Sequence, residues 1–173
     1  MTSRKRRRAW WGQGATALAL CVFASACYTL NGISISPDTE TFLVEQFEVN
    51  VVEGPAEIGQ RFSEALKLRI NSDTRLAFDD QDPDVRFTGA IVGFSVTPEA
   101  PNANNQADLS RLTITVAVEY DDTILEKNSY RQTFTDFELF NTNENLLDIQ
   151  DGLLADIFDR MSEEAFQKAF SNW

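Results

Sequence analysis

The sequence predicts an α+β fold: a two-layer sandwich in which a four-stranded mixed sheet carries two helices on one face, in the order β-α-β-β-β-α. Three observations predict it. Residues 56–70 and 144–170 each repeat apolar side chains at three- and four-residue steps, so each forms a helix with one stripe to bury. Residues 109–120 alternate strictly. Leu112, Ile114, Val116, Val118 and Tyr120 face one way, and Arg111, Thr113, Thr115, Ala117 and Glu119 the other, so the sheet has one apolar and one wet face. Two one-sided helices and a one-sided sheet bury their apolar surfaces most economically with both helices on the same side.

The first 26 residues are an address. Arg4, Lys5, Arg6, Arg7 and Arg8 precede a small-residue apolar run from Ala15 to Ala26. Twelve helical residues rise about 18 Å, short of the roughly 20 residues that a bilayer span needs. A basic start before a short apolar run describes a secretory signal peptide over residues 1–26. Ala24-Ser25-Ala26-Cys27 resembles a bacterial lipobox, with Ala24 where that motif usually has Leu. The resemblance implies cleavage before Cys27 and acylation of its sulfur and its new amine. Several acyl chains, at about 0.8 kcal/mol per buried methylene, make such attachment effectively permanent. Cys21 leaves with the signal, so the mature chain keeps one cysteine and forms no internal disulfide. Residues 27–40, with Asn31-Gly32 and Pro37-Asp38, read as a lipidated tether into a single domain over 41–173.

Thr41–Val49 alternates, with Leu43, Phe47 and Val49 on one side and Glu45 between them, and is the first strand. Gly54-Pro55 ends it, and Pro suits the opening of a helix. In that helix Ile58, Phe62, Ala65, Leu66 and Ile70 make the stripe, and Asn71-Ser72-Asp73 stops it. Asp80, Asp82 and Asp84 have the spacing of a calcium loop. Val85 stands where that loop needs Gly and Ile91 where it needs a bidentate acid, so the segment reads as a solvated acidic loop and no metal is assigned. Val85–Thr97 is the second strand. Its apolar phase slips from Val85, Phe87 and Ile91 to Val92, Phe94 and Val96 beside Gly89 and Gly93, which predicts a bulge or burial on both faces. Pro98 to Asp108 is a loop, Leu109–Tyr120 the third strand and Ser129–Phe140 the fourth. The closing helix carries Leu146, Ile149, Leu153, Ile157, Met161, Ala165 and Ala169 in one line, widened by Leu147, Leu154, Phe158, Phe166 and Phe170. At about 1.5 Å per residue it runs near 40 Å, longer than the strands expected beneath it.

Composition removes whole function classes. The chain has no His, which excludes Ser-His-Asp and Cys-His catalysis and every His-containing metal site. It has 15 Lys+Arg against 27 Asp+Glu and a net charge of −12, which argues against nucleic acid. Loss of residues 1–26 removes five positive and no negative charges, taking the mature chain to −17. Such acidity repels anionic surfaces, so the lipid, and no basic patch, holds the protein at a membrane. It also suits a high-salt habitat, where self-repulsion is screened.

Local strings then carry a family resemblance. Cys27-Tyr28-Thr29-Leu30, Val44-Glu45-Gln46-Phe47, Gly93-Phe94-Ser95-Val96-Thr97-Pro98, Arg111 before Leu112-Thr113-Ile114-Thr115-Val116, and Ala169-Phe170-Ser171-Asn172-Trp173 follow one another through nearly all of the mature chain. In this order they resemble the LPS-assembly lipoprotein family LptE, in the version associated with Bacteroidetes-like bacteria. The resemblance implies a non-enzymatic outer-membrane lipoprotein, without a cofactor, that plugs a large LptD-like β-barrel and helps deliver lipopolysaccharide to the outer leaflet. Tyr28, where inner-membrane retention is associated with Asp, and the lack of an acidic run after Cys27 favour the periplasm-facing leaflet of the outer membrane. The wet face of Arg111, Thr113, Thr115 and Glu119 is the candidate partner-facing surface, suited to a hydrophilic barrel interior. Better-known relatives grip lipopolysaccharide through basic side chains. Ten Lys+Arg in the mature chain suit that poorly, so plug and assembly factor is favoured over carrier.

Two other classes compete. A stand-alone periplasmic lipid-binding lipoprotein would hold an apolar ligand between sheet and helices, among the many Phe that otherwise fill a core. A glycan hydrolase would use Asp136 and Glu138, two apart on one strand and so on one face. The pair reads more simply as solvated strand charges, and no catalytic residue is assigned.

Overall fold

The computed structural model describes residues 34–99 and 109–171. The signal peptide, Cys27 and Trp173 lie outside the described residues. The elements are β1 (Thr41–Val44), β2 (Glu48–Val49), α1 (Ile58–Asp73), β3 (Ala77–Phe78), β4 (Val85–Pro98), β5 (Leu109–Asp122), β6 (Tyr130–Asn141) and α2 (Leu146–Phe170). They form one sheet in the order β3-β1-β4-β5-β6, with β2 pairing β4 beyond the end of β1. β1 runs parallel to both β3 and β4, and β4, β5 and β6 are successively antiparallel. The α+β, two-layer expectation holds, and β1-α1-β4 is the expected crossover between parallel neighbours.

The sheet has six strands where four were expected. One extra strand comes from a break in the first. Phe47 leaves the ladder to enter the core, where its ring meets Phe62 at 4.9 Å and its N–H donates to Ser63 Oγ at 2.9 Å. This corner needs two glycines. A Cβ on Gly59 would collide with the Phe47 carbonyl, and one on Gly89 with the Ala117 carbonyl and the Phe47 ring. Past the corner Val49 is 36% exposed, contrary to the alternation expected of one straight strand, and in β1 it is Phe42 and Val44 that join the core. The other extra strand, β3, has two residues and no periodic signal to announce it.

The bulge falls where the phase slips, between Ile91 and Gly93, so Ile91 opposes Val116 and Phe94 opposes Ile114 on the same apolar side. That side of β4 and β5 meets both helices. An aromatic series from Phe47 through Phe62 to Phe158, and from Phe166 through Phe170 to Phe87 and Tyr120, occupies the layer between them. α2 is buried at Leu154, Ile157, Phe158, Met161, Ala165, Phe166 and Phe170. Its first two turns depart from the expected continuous line: Leu146, Ile149 and Leu153 are half-buried and Leu147 is 79% exposed. The strands also outrun the helix. Fourteen residues in β5 span about 46 Å, against about 37 Å for the 25 residues of α2.

Candidate functional site

The four residues singled out on the third strand stand on the sheet face turned away from the helices. Alternate positions of β5 are buried while Arg111, Thr113, Thr115, Ala117 and Glu119 are half-buried. Their register partners complete the face: Thr97, Ser95 and Thr88 from β4, and Leu139, Phe137, Thr135, Thr133 and Arg131 from β6. Arg111 makes two bonds to one carboxylate, Nε to Glu99 Oε2 at 2.9 Å and Nη2 to Glu99 Oε1 at 3.0 Å, while its guanidinium lies 3.9 Å from the centre of the Phe137 ring. The Thr115 and Thr135 hydroxyls meet at 3.2 Å. Glu119 pairs with Arg131 across the strands. Thr113 lies between Ser95 and Phe137 in register. A shallow hollow of about 530 Å³ crosses the face, lined by Glu45, Glu48, Thr88, Ala117, Glu119 and Arg131.

Two side chains of this face went unread in the sequence. Phe137 is 41% and Leu139 40% exposed. The available signal was parity: in β6 the core takes Phe134 and Phe140, so apolar residues at 137 and 139 must lie on the opposite face. The face is therefore threonine-rich along its middle and ion-paired at both ends, and it carries an apolar pair beside Arg111 at one of them.

The other candidate constellations have structural occupations. Asp136 and Glu138 share a face as expected, and Arg160 of α2 holds both, through Nε to Asp136 Oδ2 and Nη1 to Glu138 Oε1, each at 2.6 Å. The same guanidinium donates to the Phe137 carbonyl at 3.1 Å. In the acidic loop Asp84 Oδ2 accepts the backbone N–H groups of Glu40 at 2.8 Å and Thr41 at 2.9 Å and the Thr41 hydroxyl at 3.0 Å. These bonds, that from Glu40 foremost, hold its carboxyl below the ordinary value of 3.8. Asp122, 5% exposed, accepts the N–H groups of Ile124 and Leu125 and shapes the β5–β6 turn. Burial pushes the Tyr120 and Tyr130 hydroxyls well above their ordinary range, and Tyr130 donates to the Ala165 carbonyl at 2.9 Å. Cys27 lies outside the described residues. Among the described residues no helix is long and apolar enough to cross a membrane.

Comparison with known proteins places this arrangement. No curated protein sequence matches the chain. Among solved structures, the hypothetical protein CT253 from Chlamydia trachomatis superposes with a TM-score of 0.50 at 11% identity, covering 76% of this chain and 98% of that one. A minor lipoprotein from Acinetobacter baumannii gives 0.49 at 12% identity, covering 75% and 91%. The rare lipoprotein B from Shewanella oneidensis gives 0.49 at 7% identity, covering 74% and 92%. At such identities a likeness speaks to the fold alone. The LptE family, described as lipopolysaccharide-assembly, matches residues 41–171. That span takes in every strand and helix from β1 to the residue after α2, including the whole outer face of β5, and the chain therefore belongs to the LptE lipopolysaccharide-assembly family.

Proposed function

We propose that the protein is a non-enzymatic outer-membrane lipoprotein that plugs the β-barrel of the lipopolysaccharide-export machinery and aids its assembly, so that lipopolysaccharide reaches the outer leaflet. Residues 1–26 direct export, acylated Cys27 holds the chain on the periplasm-facing leaflet, and residues 41–173 form the plug. The outer sheet face carries the reading. Threonine hydroxyls and charges already paired within the chain can stand against the polar lumen of an outer-membrane barrel without leaving a buried ion uncompensated. The same pairing supports plug over carrier. Six of the seven arginines of the mature chain have carboxylate partners within the domain, so few cations remain to grip lipid phosphates.

Affinity purification of the full chain from native envelope membranes tests the role. A large β-barrel is expected to come with it, whereas a monomer carrying only lipid would return the reading to a stand-alone lipid binder. Arg111→Glu separates plug from carrier. It sets two carboxylates side by side at Glu99 and removes the cation over Phe137, and it is expected to weaken recovery of the barrel while leaving lipopolysaccharide binding by purified protein unchanged. Lost lipopolysaccharide binding with barrel recovery intact favours the carrier.

A further inference from the structure

We propose that the end of the domain joined by the tether docks on the phospholipid headgroups of the leaflet that holds the acyl anchor, with Lys127 and Lys168 as its phosphate contacts. The proposal rests on the reading that Cys27 is acylated.

The chain is attached to the body from Ser34 onward. The Ser34 N–H donates to the Phe170 carbonyl at 2.6 Å, Ile35 packs against the core, Thr39 is buried, and Asp84 clamps Glu40 and Thr41. Between Cys27 and Ser34 lie seven peptide units, a contour of at most about 25 Å. Whichever way the tether runs, the point where it joins stays that close to the acylated residue. The C-terminal turn of α2, the start of β6 and the turn after β5 gather at the same point around a hollow of about 570 Å³, lined among others by Ser34, Lys127, Asn128, Gln132, Gln167 and Lys168.

The cations of this hollow differ from most arginines of the domain in having no carboxylate partner, a state shared among the described residues by Lys67 and Arg75. The mature chain has only three lysines, and two of them are here. Among the described residues neither pairs with a carboxylate, although acids outnumber bases and six of the seven arginines are paired. Glu164 also lines the hollow, and the Gln132 amide offers a neutral donor, while the amides of Asn128 and Gln167 already donate to Asp122 and Glu163. The acidic loop of Asp79, Asp80 and Asp82 leads into β4 at the same end of the sheet, two strands across from β6, and its last residue, Asp84, accepts from Thr123 at the start of the turn after β5. A membrane that attracts the lysines and repels that loop meets the domain on its β6 side. Such contacts act within a Debye length of about 8 Å at physiological salt, a distance that the short tether keeps available.

The mature chain's own cysteine is acylated, so an introduced cysteine takes a label uniquely. Full-length acylated protein is reconstituted in vesicles of phosphatidylethanolamine with a minority of phosphatidylglycerol, carrying a fluorophore at I124C, in the turn after β5, or at N143C, in the turn before α2. A nitroxide lipid with its spin at the headgroup quenches the label. Quenching at position 124 is expected to exceed that at 143 by about threefold, and to fall towards it in Lys127→Glu/Lys168→Glu and in molar salt. Equal quenching at both positions, or a difference that neither charge reversal nor salt alters, overturns the proposal. So does a difference that arises only when lipopolysaccharide is added to the vesicles, which would assign the hollow to cargo. Mass spectrometry and flotation of the same sample separate the two premises. An unacylated Cys27 and protein that stays with the soluble fraction sink the anchor and the docking together, while acylated, floating protein without the quenching difference sinks the docking alone.

Discussion

Phe47 and Asp84 show how much single side chains decide in this domain. Phe47 enters the core only because Gly59 and Gly89 leave room for its carbonyl and its ring. Gly59→Ala and Gly89→Ala are each expected to cost about 1–3 kcal/mol, the usual range for overpacking, read as a lower urea midpoint with an unchanged slope. Asp84 joins the tether to β4 by accepting from Glu40 and Thr41, and its carboxyl titrates below 3.8 in the folded chain. A depressed carboxylate contributes stability that is complete above the unfolded value and is lost as pH falls through the folded one. Wild type should therefore lose stability below pH 3.8 more steeply than Asp84→Asn, whose amide does not titrate there; denaturant midpoints measured across that range decide it. Neither role was legible in the sequence. Phe47 fits the parity of a straight strand, and Asp84 read as one more acid in a solvated loop, because their partners lie 16 and 43 residues away in the chain.

At the scale of elements, what could be read was whatever repeats. The stripe of α1, the alternation of β5 and the phase slip of β4 are each dictated by a period, and each stands where it was expected. What could not be read depends on tertiary neighbours: the two-residue β3, the break between β1 and β2, and the half-exposed opening turns of α2 beyond the reach of the core. The candidate face was legible on β5 and not on β6, where Phe137 and Leu139 break the polar pattern. Among the described residues β6 is also an edge strand, with no strand paired to one side of its 12 residues. Side chains cover part of that side: the Phe137 N–H donates to Asp136 Oδ1 and its carbonyl accepts from Arg160, while the Asn141 N–H donates to Glu144. Arg160→Ala uncovers the edge and leaves Asp136 and Glu138 unneutralised. It is expected to cost about 1 kcal/mol and to produce more concentration-dependent self-association than wild type when the two are compared by sedimentation.

At the scale of the whole molecule, charge and layering set the behaviour. Residues 27–173 together carry −17 and repel one another, and six of the seven arginines among them are held in internal pairs. Added salt screens the repulsion over a few ångströms, so the thermal midpoint of the full chain is expected to rise towards molar salt. A midpoint indifferent to salt would argue that the acidic surface carries no such strain and would remove the reason to expect a saline habitat. The helices cover one side of the sheet, and among the described residues no element covers the other. Hydroxyls and neutralised ions hold that bare side in water at little cost, and they would keep their hydration against any wall that encloses them. A mate that encircled this molecule would thus meet a moist lining over most of that side, with Phe137 and Leu139 as its one greasy corner, and its hold would depend on shape and bridging solvent as well as on the water squeezed out there.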